Sequence, residues 1–328
     1  MSIQETNLKA IADAIRAKTG ETSTIVANDF ATKIAAIQTG VAKPSWTQST
    51  LPASANWSSV CYGDDRFVAV AYNSNAALYS LFGTRWTKRP LPASAKWTSV
   101  CYGNGKFVAV ASDSNTGAYS TDGITWTAMT MPGSRKWTSV CYGKGKFVAV
   151  CSNSSLSAYS TDGITWTDGR MPTTGWTSVC YGSNRFVAVA VNPGLAAYST
   201  DGINWTQSTL SYSDVWQSVC YGNGNFVAVA DHENVAAYSN DGIHWTQATL
   251  PVSRAWRTIC YGGGKFVLGI NDFVDDTMYS ANGVNWVQST LPANEIWRSV
   301  CYGDNKFVAL AYGGNAVAYI KNCFDSWA

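Results

Sequence analysis

Glutamate almost vanishes from this 328-residue chain after its first forty residues: only Glu233 and Glu295 remain there. A glycosidase sets two carboxylates across the bond it cleaves, so this scarcity argues against that chemistry. Charged residues are 13% of the chain, against about 25% in an average soluble domain. Net charge is +2, with lysines and arginines scattered and no basic run. That excludes the strong field expected of a nucleic-acid or anionic-membrane binder. No apolar run approaches the roughly 18–20 residues of a membrane span, so no membrane insertion is expected. The opening MSIQETNLKA lacks the apolar core of a secretory signal. No P-loop, zinc motif or nucleophile elbow is present. The arginines sit at scattered loop and edge positions in the repeat, among them Arg66, Arg185, Arg257 and Arg298. A non-enzyme is therefore expected, with no cofactor and no metal.

Aromatic residues and repetition fill the chain instead. The motif W-x-S-V-C-Y-G, followed by F-V-A-V, recurs with small variations from Trp57, Trp97, Trp137, Trp176, Trp216, Trp256 and Trp297, at intervals of 39 to 41 residues. A fixed period near forty marks a repeat architecture. Four short β segments per period describe a propeller blade. In the second copy these are Thr98–Tyr102, Lys106–Ala111, Gly117–Ser120 and about Ile124–Met129, with Asp122-Gly123 expected to form a two-residue hairpin turn. The segment FVAVA is apolar at every position, as a strand covered on both faces must be. Tyr119 and Trp126 are bulky and suit the outer part of a wedge. The expected fold is all-β: a seven-bladed β-propeller of four-stranded antiparallel blades over residues 41–328, preceded by a small N-terminal helical hairpin within residues 1–40.

Counting predicts how the ring closes. Trp46 precedes Trp57 by 11 residues, the spacing of Trp86 to Trp97 and of Trp245 to Trp256. Trp46–Thr50 is thus a fourth strand without its own blade, and is expected to complete the blade begun at Trp297, removing an open sheet edge. Cys61, Cys101, Cys141, Cys180, Cys220, Cys260 and Cys301 fill one equivalent site per copy. Equivalent sites do not face each other as disulfide geometry requires, so small reduced thiols and a reducing compartment are expected. The repeated Trp residues read as wedges between blades, with a sugar-stacking platform as the alternative.

Two further patterns carry resemblances. Leu8, Ile11, Ala12 and Ile15 share one helical face, as do Phe30, Ile34 and Ile37 after a candidate cap at Asn28. The stretch LKAIADAIRAKTG…ANDFATKIAAIQTG resembles a helical connector module near the start of tail-associated proteins of phages and prophages. YSTDGITWT resembles the Asp-box or BNR repeat of propellers such as sialidases, one residue shorter than the usual S-x-D-x-G-x-T-W, and starts again from Ser160, Ser199 and Ser239. In that family the box is a turn-and-anchor device. These resemblances imply a virion component made in the bacterial cytoplasm without a signal peptide. Residues 1–40 would join a tail or baseplate protein, or another copy of the chain.

Positions that differ among copies point to where a ligand would sit. The loop between the second and third strands and the loop joining successive copies vary most, and in a four-stranded blade both emerge on one face. The candidate binding residues are Tyr72, Asn73, Asn75, Asp113, Asn115, Asn153, Asn192, Asp231, His232, Glu233, Asp272, Phe273 and Tyr312. The acidic cluster of the fifth and sixth loops lacks the spacing of a calcium loop. The expected function is binding, with a cell-surface glycan or receptor as partner. A structural or protein-interaction ring is the alternative, and a sialidase-like glycosidase comes third.

Overall fold

The computed structural model describes residues 12–13, 45–192, 194–211, 215–231 and 233–321. Every named element is a strand, and all pair antiparallel within one compact unit, Trp46–Asn322. One sheet of nine strands runs from Trp297–Gly303 through Lys306–Lys321, Thr47–Gly63, Arg66–Tyr72, Ser74–Ser80, Thr87–Gly103, Lys106–Ser112 and Ser114–Ser120 to Thr127–Arg135. Four further sheets hold four strands each, their first strands being Trp137–Gly143, Trp176–Gly182, Trp216–Gly222 and Trp256–Gly262.

Two parts of the fold expectation are corrected. Seven separate blades were expected, and the hydrogen-bonded sheets among the described residues number five. The physical reason is strand continuity: Thr47–Gly63 and Thr87–Gly103 each run unbroken through the joining segment, so adjacent sheets merge into one ladder. The helical hairpin is the second correction. The described residues hold no helical element beyond the backbone of Ala12 and Asp13, and the rest of the segment 7–38 lies outside them.

Each motif copy builds the same layers. Its first strand, called here the inner strand, carries the Trp and the Cys-Tyr-Gly. The tight turn that follows has two residues of positive φ in every copy, as in Asn104 (46°) with Gly105 (71°) and Lys144 (47°) with Gly145 (75°). That is the primed turn whose twist matches paired strands. It sits one hairpin earlier than the sequence suggested. At Asp122-Gly123 only the glycine is left-handed, and side chains hold a longer turn. The Asp122 carboxylate accepts the amides of Ile124 and Thr125 at 2.8 Å each, and the Ser120 hydroxyl oxygen accepts that of Gly123 at 2.8 Å. The same clasp recurs at Ser160/Asp162, Ser199/Asp201 and Ser239/Asp241, and Asn282 replaces the aspartate in the sixth copy.

The second strands are buried along their apolar length, as in Phe107–Ala111. Core clusters form between copies: Val68, Val70 and Ala77 of one pack with Trp97, Phe107 and Trp126 of the next. All seven inner Trp are fully buried and the seven outer ones nearly so, at 8–9% exposure. These fourteen rings are core, and none offers a face to a sugar. The thiols of Cys61, Cys101, Cys141, Cys180, Cys220, Cys260 and Cys301 are unbridged, as is Cys151. The residues as a whole keep some exposure in most copies, but the thiol groups are desolvated. Burial pushes Cys260 up to about 12 and Cys151 up to about 11.

The inner strands follow one another around a central axis, and the last lies against the first. Ser59 Oγ accepts the amide of Val100 at 3.1 Å and Ser99 that of Val140 at 3.1 Å; Ser139, Ser178 and Ser218 do the same for Val179, Val219 and Ile259, and Ser299 accepts Val60 at 2.8 Å. The glycine ending each inner strand lies flat against the next copy's tyrosine. A Cβ on Gly63 would stand 2.1 Å from the Tyr102 ring, and one on Gly303 would stand 2.0 Å from Tyr62. On the outer side, Thr47, Gln48, Ser49 and Thr50 pair with Tyr319, Ala318, Val317 and Ala316.

Two outcomes follow from this packing. A chain beginning at residue 53 lacks that pairing together with buried Trp46 and Leu51. It should unfold at least about 3 kcal/mol more easily than one beginning at residue 45, and equal denaturation midpoints would contradict the role given to the strand. The clasp sets an acid limit. Burial works against ionisation of Asp162, yet the amides of Ile164 and Thr165 and the Ser160 hydroxyl outweigh it and hold the carboxyl down at about 2. Asp122, Asp201 and Asp241 are lowered likewise. A folded-state value below the unfolded one, near 4, gives stability that is full above pH of about 4 and lost as pH falls toward 2. Melting temperature should drop through that window. Asp162→Asn, which copies Asn282, should keep the turn at pH 7 and reduce the acid sensitivity.

Candidate functional site

The site begins with a bulge. In every copy the inner strand loses register between the Trp and the residue two places on, as between Trp57 and Ser59 or Trp256 and Thr258. The extra residue is the variable x of W-x-S-V-C-Y-G. A bulge re-aims its side chain, and bulges recur beside functional sites. Here the seven bulge residues all line one cavity at the hub, with a volume of about 200 Å³.

Four of them are hydroxylic and structural. Ser58, Thr98, Thr138 and Thr177 each donate to the carbonyl of the next copy's Trp, at 2.7 to 2.8 Å, with a weaker approach to their own second strand. The other three are Gln217, Arg257 and Arg298, which have no hydroxyl to make that bridge. Gln217 is buried, and its Nε2 donates to Asp231 Oδ2 at 3.1 Å. Arg257 Nη1 donates to Gln217 Oε1. The Arg298 guanidinium stacks over the Tyr312 ring, 4.3 Å from its centre, a cation–π geometry.

The two guanidiniums are neighbours. Burial first, and the Arg298 charge second, press the Arg257 value down to about 10, while Asp231 and Tyr312 work upward. At neutral pH Arg257 stays charged. It is half-buried and lines the cavity. No carboxylate lines the cavity among the described residues, and Asp231 stands behind Gln217. The hub therefore has a hydroxyl-lined side from the first four copies and a cationic side from the last two.

Of the residues expected from sequence, Tyr72 and Tyr312 line this cavity. Tyr72 and Asn73 also border a second, more open cleft with Ser54–Asn56 and Gly313, where the two variable loop types meet on one face. Asn75, Asn115 and Glu233 are exposed on strands, and Phe273 is exposed at 69%. Asp113 pairs with Lys96 at 2.8 Å. Asn153 accepts the Lys136 amide, Asn192 donates to the Thr174 carbonyl, and Asp272 accepts the Ala255 amide. Those contacts pin loops to the joining segments. Asp231 serves the hub through Gln217. His232 lies outside the described residues. Asp276 is taken by Arg254 at 2.8 Å and Gln288 at 2.7 Å. Among the described residues no group of three or more potential ligands converges on a metal position.

Gln217, Arg257 and Arg298 were absent from the sequence-based candidates, and the arginines were read as scattered. The signal was there: the x position is Ser or Thr in four copies and Gln, Arg, Arg in the last three. Only the bulge and the closed ring show that these positions converge.

Sheets of this kind around a polar hub define a β-propeller. Residues 43–185 match the DUF6242 beta propeller domain. No curated protein matches the chain in sequence. Among solved structures, virginiamycin B lyase from Staphylococcus aureus superposes with a TM-score of 0.76 at 13% identity, over 85% of this chain and 99% of that one. YCF48 bound to D1 peptide gives 0.68 at 15% identity, over 86% and 98%. The WD40 beta propeller domain of Doa1 gives 0.67 at 14%, over 87% and 99%. At these identities the likeness shows the fold. One expectation is corrected by it: the non-enzyme reading rested on missing motifs, and since a lyase shares this architecture, their absence does not exclude catalysis.

Asp231 is the carboxylate nearest the arginine pair in this network. Asp231→Asn keeps an acceptor for Gln217 and removes only the charge. It should destabilise the protein by about 1–3 kcal/mol, and added salt should reduce the loss by screening the two guanidiniums. Chemical denaturation at low and high ionic strength checks both.

Proposed function

We propose that this propeller is a recognition module that binds glycan on a cell surface through the face carrying the variable loops. The observation that carries the reading is the position of the hub cavity. It lies where Tyr72 ends its second strand and Tyr312 holds the equivalent position within Lys306–Lys321, beside the segments that differ most between copies. The shared residues are consumed by the core, so variation is concentrated where a ligand can be reached. The lining is hydroxyl, amide and guanidinium with two tyrosines, which suits a polyhydroxylated ligand. The resemblance of residues 1–40 to connector modules of phage tail-associated proteins supports a setting. The ring is displayed on a phage tail or tail-like particle, and the N-terminal segment joins it to a tail protein or to a second copy.

A second reading has its own observation. The first copy replaces the Ser-Thr-Asp clasp by Ser80-Leu81-Phe82, and Leu81 and Phe82 are exposed at 47% and 62%. Exposed apolar residues at one turn favour a protein contact on the face opposite the cavity, as a structural ring in a particle would have.

A glycan array probed with the full chain separates the two. Specific glycan binding that weakens at least tenfold in Tyr312→Ala, but not in Phe82→Ser, is the expected outcome. An array without signal, together with tail-protein capture abolished by Phe82→Ser, would overturn the glycan reading.

A further inference from the structure

The geometry points to the hub cavity as a site for a single acidic sugar, its carboxylate held by Arg257 and Arg298 and its hydroxyls by Ser58, Thr98, Thr138 and Thr177; this rests on the glycan reading and names the ligand class. Three observations carry it. First, two like charges share a half-open hub cavity in which no carboxylate lines the wall among the described residues. Guanidiniums held side by side repel, and an anion between them removes that repulsion while accepting in-plane, paired hydrogen bonds. Second, these residues occupy bulge positions where other copies hold a hydroxyl that ties one inner strand to the next. Each exchange gives up a ring-closing hydrogen bond and brings a half-buried cation to the hub, and a local rule broken at one register marks function.

Third, the opposite wall is complementary to a polyol. Each of its four hydroxyls commits its proton to a backbone carbonyl. Its remaining lone pairs can only accept, so they favour a ligand that brings O–H donors. The cavity therefore asks for an anion at one end and hydroxyl donors at the other. Its volume of about 200 Å³ lies below the roughly 300–1,000 Å³ of sites for drug-sized ligands. That suits one sugar residue at the end of a chain.

The test uses the full chain and titration calorimetry with methyl glucuronide, its neutral counterpart methyl glucoside, and acetate. Glucuronide should bind at least tenfold tighter than glucoside or acetate, and weaken as salt rises. The double variant Arg257→Thr with Arg298→Thr restores the residue found in the second, third and fourth copies. It should melt no lower than the parent and lose glucuronide binding at least tenfold. Equal binding of glucoside, equal binding of acetate, or unchanged glucuronide binding in the double variant would each overturn the assignment. The two readings fail separately. Array hits confined to neutral glycans and kept by the double variant would remove the acidic-sugar site and leave glycan recognition standing. Glucuronide binding with an array without signal would do the reverse.

Discussion

The contact between successive inner strands at the hub governs this molecule. A glycine at the end of one strand lets the next copy's tyrosine ring lie flat against backbone, and a serine hydroxyl accepts the neighbour's amide. Because the step repeats with the same residues, each wedge meets the next at nearly the same angle. The last step, Gly303 on Tyr62 and Val60 to Ser299, uses the same chemistry as the others. A ring closes only if errors per step stay small. Residues with no side-chain freedom, or with one short hydroxyl, keep them small.

That constraint divides the residues by task. Trp, Phe, Val and Ala positions fill the space between copies and are hidden from solvent. The Ser-Asp clasp on one face satisfies turn amides that no strand can reach. The one inner-strand position that the ring can spare is the bulge, where a side chain is aimed at the hub without altering the strands around it. Four copies use it to reinforce the ring, and three fill it with long polar groups instead. The repeat thus provides a uniform frame, and departures from it at a single register assemble the polar cavity.

Much of this was legible in the residues themselves. The period, the all-apolar FVAVA strand and the spare strand at Trp46–Thr50 are local patterns, and a strand buried on both faces has a sequence signature. The turn at Asp122-Gly123 was assigned the wrong type, because Asp-Gly suggests a primed turn while Ser120 and Asp122 hold a different one with their side chains. The contacts of the acidic loops were not legible. Asp272 and Asp276 have backbone or arginine partners that lie far off in sequence or across a joining segment, and no spacing rule reveals them. The grouping of the strands into five hydrogen-bonded sheets was hidden for a related reason. Whether a joining segment breaks a ladder or continues it depends on hydrogen bonds to the neighbouring sheet.

The sequence by itself determined the repeat, the all-β character, the identity of the core positions and the unpaired state of the equivalent cysteines, because each depends on periodicity and residue type. Tertiary structure alone decided that the residue after each Trp bulges toward one axis. It also decided that Gln217, Arg257 and Arg298, 40 and 41 residues apart in turn, become neighbours in one small cavity. The physical reason is ring closure: it converts equal spacing along the chain into adjacency in space, and charges that look scattered in a line converge where the inner strands meet.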